Sequence, residues 1–106
     1  MEIVSFDGVV GRAVEAFGSA GVTAQALFRG EAVAVTVLRV AAGGEIGRHA
    51  AAVDQVFVVM AGHGFVQAGE GDAEPVRAGQ AVVWRAGEEH ATTAVEDITA
   101  MAIEMA

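Results

Sequence analysis

The sequence predicts an all-β fold, a sandwich or closed barrel. Two observations carry that reading. No stretch of ten or more residues shows a convincing helical period. Short apolar runs rich in Val, Ile and Phe instead recur about every eight to twelve residues, with turns between them. Punctuation is by glycine: there are 14 glycines and 1 proline in 106 residues.

The elements follow in order. Met1 to Phe6 is apolar enough for a short edge strand, and Asp7-Gly8 turns it. Val9 to Phe17 reads as a second short strand, closed by Gly18-Ser19-Ala20-Gly21. Val22 to Phe28 is a third, and Arg29-Gly30-Glu31 turns it into Ala32 to Val40, a hairpin. In that fourth strand Val33, Val35 and Val37 share one face, with Ala34, Thr36 and Leu38 on the other. Gly43-Gly44 is the next turn. Val53 to Met60 is the central strand, with Val53, Gln55, Phe57 and Val59 on one face and Asp54, Val56, Val58 and Met60 on the other. A strand apolar on both sides needs a cover on each, and the outer one is expected to be a partner subunit or a neighbouring sheet. Gly62-His63-Gly64 is a tight turn whose histidine is expected at an exposed tip. Phe65 to Ala68 returns, Gly69 to Pro75 is an acidic loop, and Ala81 to Trp84, His90 to Val95 and Asp97 to Met105 complete the strands.

Two of these units share a plan. Gly43, His49, Ala51, Gln55 and Gly62 stand where the first motif of the cupin superfamily has glycine, His-any-His, Glu and glycine. Gly79, Arg85, Gly87, His90 and Ala94 stand where its second motif has glycine, Pro-any-Gly, His and Asn. The spacings fit without a gap, so the chain resembles a small single-domain cupin over roughly residues 32–104. Four motif positions depart from the pattern: Ala51, Gln55, Arg85 and Ala94. The resemblance implies a double-stranded β-helix of jelly-roll topology, built as one domain over 1–106 around core motifs 43–62 and 79–94.

It also implies a pocket inside the barrel. Metal-binding cupins use three histidines and a carboxylate, since imidazole suits transition metals and a carboxylate offsets their charge. This chain offers His49 and His90, with the Gln55 carbonyl as a third, neutral donor. The metal reading is one divalent transition ion (Zn, Ni, Fe or Mn) on His49, Gln55 and His90. The other is a metal-free pocket in which His49, His90 and Gln55 anchor a small organic molecule against apolar walls such as Phe57. Trp84 and Phe65 are read as core or pocket wall. Glu88 or Glu89 is a candidate to orient His90 or raise its pKa.

Composition removes other classes. Net charge is −8, and all six basic residues are arginines scattered along the chain, which argues against nucleic acid and against anionic membranes. Without cysteine there is no disulfide and no thiol nucleophile, and without lysine no Schiff base. No P-loop, dinucleotide fingerprint or serine elbow occurs. No apolar run of about 18 residues and no signal-like N terminus is present, so a cytoplasmic protein is expected. The expected function is binding of a small organic molecule at a reduced metal site. The alternative is a metal-dependent enzyme of dioxygenase, isomerase or polyketide-modifying type. Whether the protein is an enzyme stays open. An apolar fraction of 54% points to a homodimer.

Overall fold

The computed structural model describes residues 1–7 and 11–106. Among them are nine strands and one short 3-10 turn, Ala16–Gly18. The strands are β1 (Arg12–Ala13), β2 (Ala20–Arg29), β3 (Val33–Ala50), β4 (Asp54–Ala61), β5 (His63–Ala68), β6 (Glu74–Arg77), β7 (Ala81–Trp84), β8 (Glu89–Ala94) and β9 (Ile98–Met105). All pairings are antiparallel, in the order β6-β5-β8-β3-β9-β4-β7, with β2 joining β3 and β1 joining β2. The sheet is curled into the jelly-roll barrel that the cupin resemblance implies.

The barrel turns on β3. Its first half, Val33–Val40, pairs with β9 on one side and β2 on the other. Its second half pairs with β8, Glu45 opposite Thr93 and Ala50 opposite Glu89. One strand thus belongs to both walls, a standard way of making a corner between sheets. The turn expected at Gly43-Gly44 is that corner and not a chain reversal. Gly43 adopts φ +80°, which glycine tolerates without steric cost. A Cβ on Gly44 would lie 2.7 Å from the carbonyl oxygens of Ala20 and Ala41. The glycines bend the strand while its pairing continues.

Alternation then sorts the side chains. Inside, Val22, Val40, Phe57, Val59, Val66, Trp84, Ile98 and Ala100 form one buried cluster. The inward face expected for β4 is the observed one: Phe57 and Val59 are buried, and Gln55 lies on the same side. Outside, cross-strand rows are apolar. One runs Val35, Ile103, Val56, Val83 across β3, β9, β4 and β7, and the next runs Val37, Met101, Val58, Ala81.

The N-terminal expectations change. Met1 to Phe6 forms no strand. The segment is held by side-chain bonds instead: Gln25 Nε2 donates to the Ser5 carbonyl at 2.8 Å, and Arg39 Nη2 donates to that of Phe6. Of the strand expected over Val9 to Phe17, only Arg12–Ala13 pairs, while Val9 and Val10 lie outside the described residues. Phe17 belongs to the 3-10 turn. Backbone pairing with β2 ends just beyond Ala13, where the Val14 N–H donates to the Val22 carbonyl at 2.9 Å. Phe65, expected in the core or a pocket wall, is exposed on β5, because the glycine at 64 takes the inward place.

Candidate functional site

The second half of β3 and its neighbour β8 set the two motif histidines directly opposite each other. Their ring centroids lie 4.4 Å apart at an interplanar angle of 59°. Each ring has an aromatic backing. Trp84, at the end of β7, stacks on His90 at 4.4 Å and 12°. Phe17, from the 3-10 turn, stacks on His49 at 4.5 Å and 9°. The result is a continuous row: Phe17, His49, His90, Trp84.

Backbone carbonyls orient both imidazoles. His49 Nδ1 lies 2.8 Å from the Gly47 oxygen, and His90 Nδ1 lies 3.2 Å from the Glu88 oxygen. An oxygen that can only accept requires the proton on Nδ1. Each neutral ring therefore keeps its lone pair on Nε2, and among the described residues no hydrogen bond engages it. Glu88 thus orients His90 as the sequence suggested, but through its main chain. Its carboxylate accepts the Arg85 N–H at 3.0 Å. Burial pushes the His90 pKa below the ordinary histidine value, against the upward pull of the Glu88 carbonyl; neighbouring His49 lowers it further and the Glu88 charge raises it again. The net direction is down, opposite to the rise expected from an acidic neighbour, because loss of water outweighs the carboxylate.

The histidines line a cavity of about 140 Å³ together with Val14, Phe17, Ser19, Val22, Leu38, Ile46, Gln55, Phe57, Trp84 and Thr92. All four residues expected at the pocket (His49, Gln55, Phe57 and His90) are on that list. Ala51, at the place of the missing motif histidine, is buried in the core cluster. His63 stands elsewhere, half-buried at the start of β5 and 3.5 Å from Glu96. Arg85 is exposed beside Asp54 at 3.6 Å.

For a metal, the wall offers two imidazole nitrogens and the neutral Gln55 oxygen. Among the described residues no group of three His, Cys, Asp or Glu comes together. The donor set fits a weakly held ion with several positions left open, and it supplies no anion to offset the charge.

Sequence reasoning missed Phe17. Its backbone sits at φ 60°, ψ 25°, a region that a bulky side chain rarely adopts. The contact is fixed from β3: the buried Ser19 hydroxyl accepts the Gly47 N–H at 3.0 Å, and a Cβ on Gly47 would fall on the Phe17 carbonyl oxygen. The usable signal was Gly47, two residues before His49, where a strand interior rarely wants glycine.

Comparison with known proteins agrees with this geometry. The cupin domain family model matches residues 36–105. A search of curated protein sequences finds no match. Among solved structures, a predicted oxalate decarboxylase from Thermotoga maritima is 20% identical, with a TM-score of 0.85 and coverage of 99% of this chain and 98% of its own. The polyketide cyclase RemF from Streptomyces resistomycificus is 18% identical, with a TM-score of 0.86 over 99% of this chain and 79% of its own. A conserved protein from Streptococcus pyogenes is 26% identical, with a TM-score of 0.71 over 79% and 73%. No helix among the described residues is long and apolar enough to cross a membrane. A family match over most of the chain, together with a jelly-roll barrel that presents the two motif histidines as a pair, makes this chain a member of the cupin superfamily.

Proposed function

We propose that the protein binds a small organic molecule inside its barrel, with His49, His90 and Gln55 as the polar anchors. The observation that carries this reading is the chamber itself: an apolar space of about 140 Å³ whose few polar groups include two oriented imidazoles. Sites of this kind fix a ligand with apolar walls and a small number of placed polar groups. With Nδ1–H committed to carbonyls, each Nε2 accepts a hydrogen bond from a ligand hydroxyl or amide.

A second reading, a metal-dependent enzyme, has one observation in its favour. Histidines that ligate a metal through one nitrogen commonly donate the other N–H to a backbone carbonyl, as both do here. His49 and His90 would hold the ion, with Gln55 completing the set. A bound divalent ion would supply Lewis acidity to a ligand oxygen. Kinship to proteins named as a polyketide cyclase and a predicted oxalate decarboxylase is compatible with such chemistry, at identities that speak only for the fold.

Elemental analysis of untagged protein, repeated on His49→Ala and His90→Ala, separates the two. The first reading expects substoichiometric metal indifferent to both changes. Near-stoichiometric metal lost in both variants overturns it in favour of the second.

A second copy of the chain is the proposed cover for the outer face, where Phe28, Val33, Val83 and Met105 are exposed beside the Val35 row. Analytical ultracentrifugation should give twice the 10.8 kDa chain mass, and Val83→Glu should return a monomer. Wild-type protein sedimenting as a monomer at micromolar concentration removes this part of the reading.

A further inference from the structure

Beside the histidine chamber lies another cavity that shares two of its wall residues. Gln55 and Leu38 line a second cavity of about 280 Å³, whose walls include Arg12, Arg29 and Glu104. Its floor is made of small side chains, Ala24 and Ala26 from β2 and Ala102 from β9. The register places these groups on one face of the sheet, whose far end at Arg12 and Arg29 is open to solvent. Arg29, Ala34, Glu104, Gln55 and Trp84 form a single cross-strand row through β2, β3, β9, β4 and β7, and Arg12 sits opposite Ala24. This face thus passes from a buried indole, through an amide, to a carboxylate and two exposed guanidiniums.

The guanidiniums are notable in this chain. It has six cations and a net charge of −8, yet two of the six line this one space. Among the described residues neither has a carboxylate within ion-pairing distance, whereas Arg85 has Asp54. Two guanidiniums and one carboxylate, Glu104, leave one net positive charge. Guanidinium forks match carboxylate geometry, and a charge-assisted bond there is stronger than a neutral one. The inner chamber, at about 140 Å³, is close to the cavity of about 150 Å³ that accommodates a benzene ring.

We propose that the ligand is a monocarboxylate: one ring-sized apolar group among Phe17, His49, His90 and Trp84, and an anionic end reaching past Gln55 to Arg12 and Arg29. This rests on the barrel-binding reading above and adds the ligand's chemical class. Glu104 on the same wall disfavours a dianion and contributes the discrimination that two arginines alone would lack.

The test uses phenylalkanoates of increasing chain length, from benzoate to 4-phenylbutanoate, each beside the uncharged alcohol and the amine of the same skeleton. Trp84, the chain's one tryptophan, reports occupancy by fluorescence from inside the chamber, and calorimetry checks it. At the best chain length the acid should bind about tenfold or more tighter than the alcohol. Arg12→Gln and Arg29→Gln should each lower that ratio, and the double variant should bring it near one without weakening the alcohol. Both arginines are exposed, so these changes leave the fold in place, which circular dichroism verifies. Equal binding of acid and alcohol, preference for the amine, or an acid preference that survives the double variant overturns this proposal while leaving the chamber reading intact. Binding by no member of the series overturns both.

Discussion

The two walls of the histidine chamber are made in opposite ways. On one side His90 is 4% exposed and leans on Trp84, itself 3% exposed and part of the core cluster. On the other, His49 is half-buried and leans on Phe17, which is 62% exposed at the chamber's edge. Stacking geometry is nearly the same in both. What differs is the work each aromatic ring does for the fold. Trp84 fills the interior, so its contact with His90 is inherited from core packing. Phe17 covers a histidine at the chamber's edge, and its turn is tied to β3 by the Ser19 hydroxyl on the Gly47 N–H and by the bare backbone of Gly47. One wall serves stability and site together, while the other serves the site.

That contrast can be broken from either end. Trp84→Ala should have the largest effect, destabilising by about 3–5 kcal/mol, a large part of what a small domain has. Urea denaturation measures it, and Trp84→Phe should recover most of the loss. A destabilisation as small as that of a surface change would mean that the indole is not core. Gly47→Ala comes next, at about 1–3 kcal/mol, because the new methyl cannot share space with the Phe17 carbonyl. The 3-10 turn must move, and the His49 ring signals in an NMR spectrum should lose the upfield shift that a stacked phenyl imposes. Unchanged ring shifts would show that β3 absorbs the methyl and that the glycine does not hold Phe17. Phe17→Ala should cost within about 1 kcal/mol of stability while weakening binding of a ring-bearing ligand. Equal losses in Phe17→Ala and Trp84→Ala would erase the distinction between the walls.

The smallest effect sharpens the comparison by titration. The folded-state pKa of His90 is lowered, chiefly by burial. Below the ordinary histidine value of about 6.5 the unfolded chain therefore takes up a proton more readily than the folded one. Stability of metal-free protein should fall as pH drops through that range, and level off for this group once folded His90 is itself protonated. Melting temperatures from pH 8 to pH 5 measure the slope, and His90→Gln should flatten it. An unaltered slope in the variant would assign the acid sensitivity to other groups.

Much of this was legible beforehand. The motif spacing put His49, Gln55, Phe57 and His90 in line for one pocket, and all four line it. Spacing works there because alternation along paired strands converts residue number directly into side of the sheet. The same rule fails where the backbone leaves the ladder. Gly43 and Gly44 look like a reversal in one dimension, yet they are a bend in an 18-residue strand that changes partners. Phe17 reads as one more apolar strand residue until its left-handed backbone turns it onto His49.

The sequence alone pointed to an all-β barrel, since that depends on local period and residue type, and its likeness to the cupin motifs implied the paired histidines and the reduced metal site. Three features were decided only in the folded molecule: which aromatic ring backs which histidine, which nitrogen keeps its lone pair, and which of six scattered arginines meet beside Gln55. Those depend on contacts between segments far apart in the chain. Arg12 and Arg29 line one cavity with Gln55, beside the histidine chamber, because β1, β2, β3, β9 and β4 lie side by side, and no local pattern records that order.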